Sequence, residues 1–228
     1  MGGKSVKKIQ IAIDGPSGAG KSTMAKMVSK ELRILYLDTG AMYRAVALKA
    51  IQTGIDCKDA KQLSQMVADI DIHVTYENGQ QFVFLDGQDV SSQIRTPDVT
   101  VGASNVAVVQ AVREKMVELQ REIAKNNSVV MDGRDIGTHV LPDAGIKIFL
   151  TASVEDRARR RYDELKEKGT LTQTFEEVKK DMEYRDLNDS SRSFCPLKKA
   201  DDAILLDTTG YSLEKSVAMI LEFVKARV

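Results

Sequence analysis

Gly15-Pro16-Ser17-Gly18-Ala19-Gly20-Lys21-Ser22 brings glycines, a lysine and a hydroxyl together within one short stretch. This is the phosphate-loop pattern: glycines let backbone N–H groups face phosphate oxygens, the helix that follows adds its positive end, and the lysine supplies a mobile charge. Ser22 is expected to place its hydroxyl on Mg²⁺, and with Thr23 beside it the expected ATP-binding set runs from Gly15 to Thr23. A plain turn from strand to helix needs no Lys-Ser pair, so nucleotide binding is the better reading. What the nucleotide is used for has to come from the rest of the chain, because motors, switches and small-molecule kinases share this loop.

Two further stretches follow apolar runs, Leu37-Asp38-Thr39-Gly40-Ala41-Met42-Tyr43-Arg44 and Asp132-Gly133-Arg134-Asp135-Ile136-Gly137-Thr138. Ligands of open α/β sheets sit at the carboxyl ends of the strands, so Arg44 and Arg134 can converge on the phosphate loop although remote from it in sequence. Two guanidinium forks there suit a phosphate dianion. Arg44 alone would read as a surface charge; its place after a strand favours the anion role. Asp132 reads either as a group orienting Mg²⁺-bound water or as a strand-end turn residue.

Residues 154–168 read as a helix in which Arg157, Arg159, Arg160 and Arg161 are interleaved with acids, by default a solvated face. Arg185, Asp189 and Arg192 share a face if the helix that Thr174 and Glu177 can cap continues far enough. Residues 186–193 are rich in Asp and Ser and could instead be loop, with a surface ion pair as the competing account. Taken alone, Ser104 reads as the cap of a helix beginning near Asn105, and Arg113 as solvated on that helix's polar face. His73 and His139 are isolated and are given no role.

The elements that must position these groups follow from the apolar pattern. Residues 9–13, 34–37, 129–131, 146–150 and 203–206 are short and β-rich, as strands buried on both faces should be. Helical spacing runs from Lys21 through Met24, Met27, Val28 and Leu32, again through Val108, Val112, Met116, Leu119 and Ile123, and finally from Ser212 through Leu213, Val217, Leu221 and Val224. Alternating strands and helices predict a doubly wound parallel sheet. Residues 73–76 and 82–85, separated by Glu77-Asn78-Gly79-Gln80, predict a small antiparallel insertion.

Composition narrows the partners. The 228 residues hold 33 basic and 33 acidic side chains, leaving no global positive field for a nucleic acid backbone. No apolar run approaches a membrane span. Cys57 and Cys195 have no second thiol at ligand spacing, which fits a reducing, cytoplasmic setting. The first residues carry no apolar signal region, and Val6 stands where a myristoylation motif needs Ser or Thr.

Together, the Gly15–Ser22 loop, Leu37–Arg44, Asp132–Thr138 and Arg185 through Arg192 resemble the bacterial cytidylate kinase family, over a stretch running from about Ile9 to the last helix. The resemblance implies a P-loop NTPase fold of class α/β, with a five-stranded parallel sheet flanked by helices, a small antiparallel β insertion and a helical lid. It implies a single domain over 1–228, with a core at about 6–40, 128–152 and 193–228, an acceptor-binding region at about 41–127 and a lid at about 153–192. The implied activity is ATP-dependent, Mg²⁺-assisted phosphorylation of CMP and dCMP to CDP and dCDP by a monomer that binds neither nucleic acid nor membrane. Thr39, Arg44, Arg134 and Arg192 would then hold the acceptor phosphate, Ser104, Arg113 and Asp135 the cytosine edge, and Arg185 and Asp189 the sugar hydroxyls. Lys21 with the lid residues Arg157 and Arg161 would act on the transferring phosphate. Cytosine offers a donor amino group to Asp135, whereas uracil would set acceptor against acceptor. The rival readings are a kinase for UMP, AMP or a small metabolite and, more remotely, a nucleotide switch or nucleic-acid ATPase; no Asn-Lys-x-Asp motif supports a guanine switch.

Overall fold

The computed structural model describes residues 8–77 and 79–228; residues 1–7, which carry the N-terminal reading above, and Asn78 of the expected hairpin turn lie outside the described residues. Strand β1 (Gln10–Asp14) is followed by α1 (Lys21–Leu32), β2 (Leu35–Asp38), α2 (Thr39–Gln52) and α3 (Ala60–Ala68). An antiparallel unit, β3 (Ile72–Glu77), β4 (Gln80–Leu85) and β5 (Gln88–Asp89), leads into α4 (Pro97–Val106) and α5 (Gln110–Asn126). The chain then returns through β6 (Val129–Gly133), a π-helical turn (Ile136–Val140), β7 (Ile146–Thr151), α6 (Val154–Glu167), α7 (Phe175–Ser191), β8 (Ile204–Asp207) and α8 (Leu213–Lys225).

The five parallel strands lie in the order β2-β6-β1-β7-β8. With β1 central, alternate side chains serve opposite layers, as strand geometry demands. Ile11 and Ile13 join Met24, Val28, Ile148 and Ile220 beneath α1 and α8. Ala12 and Met131 face a larger core with α2, α3 and α5. Each apolar run read as a strand is one, with boundaries moved by a residue or two. The insertion has a third strand, β5, two residues long and outside the sequence reading. Its Ile72, Val83 and Leu85 belong to the same core as α2, so the insertion is packed down rather than appended.

One helix differs from its expected course, and one left open is resolved. The stripe beginning at Val108 is broken: α4 ends at Val106, Val109 is extended before α5, and Val108 stands exposed between them. Consecutive apolar residues at 106–109 mimic helical periodicity there while the chain turns. In contrast, α7 continues through Ser191, so residues 186–191 are helix, Asp189 is on it, and Arg192 is its C-cap. Its start is the expected capping box: Thr174 Oγ1 accepts from the Glu177 N–H at 3.3 Å, and Glu177 Oε2 accepts from the Thr174 N–H at 2.8 Å. Thr174→Ala is expected to cost about 1 kcal/mol, lowering the thermal midpoint by roughly 2–4 °C in calorimetry.

Glycine is obligatory where the phosphate loop leaves β1. Gly15 has φ +148°, and a Cβ there would lie 1.9 Å from the Leu150 carbonyl oxygen of β7. The loop passes directly over that strand end, which sets the height at which its N–H groups stand.

Candidate active site

Gly20 takes a left-handed conformation (φ 90°) as the N-cap of α1 and provides no side-chain cap. An uncapped helix start of this kind can accept an anion. Lys21 is only 5% exposed, and its Nζ donates to the Pro16 carbonyl oxygen at 2.6 Å. Burial, with Arg134 nearby, pulls its pKa down to about 7 against the opposing pull of Asp132 and Asp189. Ser22 donates from Oγ to Asp132 Oδ2 at 3.0 Å, while the Tyr36 hydroxyl donates to Asp132 Oδ1 at 2.8 Å. Burial and the neighbouring Asp38 push Asp132 upward. A hydroxyl beside a carboxylate is an all-oxygen set, which fits a hard cation that keeps several waters; among the described residues no three His, Cys, Asp or Glu side chains form a cage of their own.

Asp14 binds the phosphate loop's root to the stretch after β6. Its carboxylate accepts from the Ile136 and Gly137 N–H groups at 2.8 and 2.7 Å, and burial raises its pKa to about 6 despite those bonds. The turn it holds carries Arg134 and Asp135 at its entrance.

The arginines converge. Arg134 donates from Nε to Asp189 Oδ2 at 2.6 Å, and Arg192 stands 3.6 Å from Asp189 Oδ1, so both flank one carboxylate of α7. Arg185 is pulled down to about 10 by burial and by Arg134, with Arg44 and Arg161 adding to the repulsion. Arg44 donates to Asp38 at 2.8 Å, and Asp38 also caps α2 by accepting from the Ala41 N–H. Thr39 donates from Oγ1 to the Asp132 carbonyl oxygen at 2.7 Å. Most telling are the buried nitrogens without a partner among the described residues: Nε of Arg44, Arg113, Arg185 and Arg192, together with a terminal nitrogen of Arg192. Buried donors are normally satisfied, and these belong to guanidiniums crowded by like charge, Arg185 by Arg134, Arg44 and Arg161, and Arg192 by Arg113. The cluster keeps donor capacity that an anion could use.

Beside it, Arg113 is 1% exposed and ion-paired with Asp135, and its guanidinium lies 5.4 Å from the centre of the Tyr43 ring. The solvated reading of Arg113 therefore does not hold. Ser104 lies inside α4 and is no helix cap; its hydroxyl is 3.5 Å from Asn188 Nδ2. Arg113 and Asp135 both act on the charge of Arg192, which places this pair next to the arginine cluster.

The lid arginines do not behave alike. Arg159 stacks on Phe175, Arg160 donates to the Thr208 carbonyl oxygen, and Arg161, a third exposed, pairs with Glu164. Arg157, expected to be a mobile lid group closing on phosphates, is instead buried against the loop: it donates to the carbonyl oxygens of Ala152 and Ser17 at 3.0 and 2.8 Å and to Asp186 at 2.5 Å. Its position in the first turn of α6, shortly after β7, brings its guanidinium against the Ser17 carbonyl of the loop.

Several groups were not assigned from sequence. Asp14 borders one recognised motif and Asp38 lies within another, and both could have been found as carboxylates at strand ends. Gln81 of β4 pairs with both backbone groups of Asp38, accepting from its N–H at 2.8 Å and donating to its carbonyl oxygen at 3.3 Å, which anchors the insertion to the root of α2. Neither Gln81 nor Asp186 carries any local signal.

Comparison with known proteins agrees with this architecture. The family model for cytidylate kinase matches residues 11–226. A cytidylate kinase of Caldicellulosiruptor bescii is 50% identical over 220 residues, covering 95% of this chain and 96% of the relative. One from Bacillus cereus is 53% identical over 218 residues, covering 96% of each. An uncharacterized protein from Eubacterium ventriosum, known from its crystal structure, shares the fold with a TM-score of 0.54 at 16% identity, covering 97% of this chain and 100% of its own. By the span of that match and the identity to these relatives, the chain belongs to the cytidylate kinase family.

Proposed function

We propose that the protein transfers the terminal phosphoryl group of ATP to CMP and dCMP, giving CDP and dCDP. The observation that carries this reading is the set of unpartnered buried arginine nitrogens, among them that of Arg185, whose charge acts on Lys21, together with the neighbouring Arg113–Asp135 pair. Thr39, Arg44, Arg134 and Arg192 hold the acceptor phosphate, Arg185 and Asp189 the sugar, and Ser104, Arg113 and Asp135 the cytosine edge. The loop from Gly15 to Thr23 cradles the ATP phosphates.

The attacking oxygen belongs to an ionised phosphate, so no base has to remove a proton, and positioning with charge compensation carries the step. Lys21 and Arg161 offset charge on the transferring group. Ser22, and Asp132 through water, would hold Mg²⁺, which supplies neutralisation between the terminal phosphates when bound. The same reading divides one domain into core, acceptor-binding and lid regions, and takes the protein as a cytoplasmic monomer without a nucleic-acid partner, which the balance of 33 basic and 33 acidic residues favours. No helix among the described residues is long and apolar enough to cross a membrane.

An ADP-release assay with CMP, dCMP, UMP and AMP tests the assignment. Uracil leaves Asp135 facing an acceptor, at a cost of about 1–3 kcal/mol per unpaired group, so kcat/KM for UMP is expected to be roughly 5- to 150-fold below that for CMP. Equal efficiency with UMP or AMP would overturn the acceptor assignment, and ATP hydrolysis stimulated by DNA or RNA but not by CMP would favour an ATPase.

A further inference from the structure

We infer that Asp186 is a positioning residue for phosphoryl transfer, one that fixes the donor loop from the helix bearing the acceptor's residues. The Ser17 peptide is gripped at both ends. Its N–H donates to Asp186 Oδ1 at 2.8 Å, and its carbonyl oxygen accepts from Arg157 at 2.8 Å. Arg157 in turn donates to Asp186 Oδ2 at 2.5 Å, closing a ring of Ser17, Asp186 and Arg157, and is anchored to the sheet through the Ala152 carbonyl oxygen. One turn earlier on α7, Met182 reaches the loop independently: a Cβ on Gly18 (φ +70°) would lie 2.5 Å from Met182 Cε and 3.1 Å from the Arg157 carbonyl oxygen. Two consecutive turns of α7 therefore bear on Ser17 and Gly18.

The same helix carries Arg185 beside Asp186, and Asp189 one turn further on. A helix that holds the acceptor with Arg185 and Asp189 and the donor loop with Asp186 cannot answer one nucleotide without shifting what the other meets. Asp186 couples the two sites, while Arg157 acts through the loop it supports. This rests on the acceptor assignment proposed above.

The test compares Asp186→Ala and Asp186→Asn with the unmodified protein. It uses steady-state kinetics in each substrate, thermal unfolding, and calorimetric binding of a non-hydrolysable ATP analogue with and without saturating CMP. In the unmodified protein CMP is expected to change the analogue's Kd by about threefold or more. Removing a charge-assisted contact should raise KM for ATP about tenfold in Asp186→Ala, keep KM for CMP within about twofold, and shrink the effect of CMP on analogue binding to below about 1.5-fold. Asp186→Asn keeps an oxygen for the Ser17 N–H but loses the charge facing Arg157, so its KM for ATP should rise about threefold, a graded series that general loosening of the fold would not produce. An unchanged KM for ATP in both variants, an equal rise in KM for CMP, or no effect of CMP on analogue binding in the unmodified protein overturns the proposal. Should Asp186→Ala fail to fold, Asp186→Asn decides by the same criteria. Failure of the acceptor assignment shows separately, as no ADP release with CMP in the unmodified protein, and analogue binding by the variants then still tests the tie to the loop.

Discussion

Lys21→Ala is expected to lower kcat with CMP by roughly 10²–10³-fold while leaving the thermal midpoint unchanged or higher. Lys21 is buried and depressed to about 7, so its charge is held against the preference of its surroundings. Such a group weakens the fold rather than supporting it. Below pH 7 the native protein keeps a buried ammonium that the unfolded chain would hydrate. Between about 7 and the ordinary lysine value of 10.5 the native state binds fewer protons than the unfolded one, so this penalty fades as pH rises. Any stabilisation in Lys21→Ala should accordingly be greatest below pH 7 and vanish in alkali. Phosphates reverse the balance, since they favour the charged form. At pH 8, where terminal phosphates are already ionised, binding of the ATP analogue should take up protons, and measurably fewer in Lys21→Ala. Calorimetry in two buffers of different ionisation enthalpy measures that uptake. Turnover near normal in the variant, or no proton uptake in the unmodified protein, would remove Lys21 from the role given to it.

The parts of the site legible in the sequence are those whose chemistry is local. The phosphate loop declares itself because its glycines, lysine and serine must be adjacent in the chain to wrap one phosphate, and the five strands because residues buried on both faces admit little but β-branched and aliphatic side chains. The capping box of α7 was readable for the same reason, whereas the extent of the helix through Asp189, which the Asp- and Ser-rich residues 186–193 left open, was not. What could not be read depends on partners remote in the chain. Asp186 meets Ser17 across 169 positions, and Gln81 meets Asp38 across 43, with no spacing rule linking either pair. Arg157 shows the cost of reading a charge run by composition: four neighbouring arginines look equivalent in sequence, yet the helix turns one against the loop, one onto Phe175, one to Thr208 and one toward Glu164. The break at Val108 failed for the opposite reason, since four apolar residues in succession satisfy a helical stripe whether or not the chain turns there.

Asp135 carries the second large effect, and its neighbour determines the form that effect takes. Its Oδ2 is held by the buried guanidinium of Arg113, while Oδ1 takes no hydrogen bond from the described residues and, in the proposed assignment, would meet the base. Asp135→Ala strands Arg113 in a site only 1% exposed, which should cost about 3–5 kcal/mol and lower the thermal midpoint by roughly 6–20 °C, along with the preference for CMP over UMP. Loss of preference measured on so weakened a protein would be ambiguous; Asp135→Asn separates the two causes. An amide has one oxygen, and Arg113, which can only donate, claims it. The amide nitrogen must then face the base, where it opposes the amino group of cytosine and suits the carbonyl of uracil. The ratio of kcat/KM for CMP to that for UMP should therefore fall by about 10- to 100-fold in Asp135→Asn, while most of the stability is retained. Replacing both partners with apolar residues, Arg113→Met with Asp135→Leu, should restore stability to within about 1 kcal/mol of the unmodified protein and still discriminate poorly, because a buried ion pair is costly to break but not to remove whole. A CMP preference that survives in Asp135→Asn would mean the base is read by other groups, and the carboxylate would be left with the single task of keeping Arg113 in place.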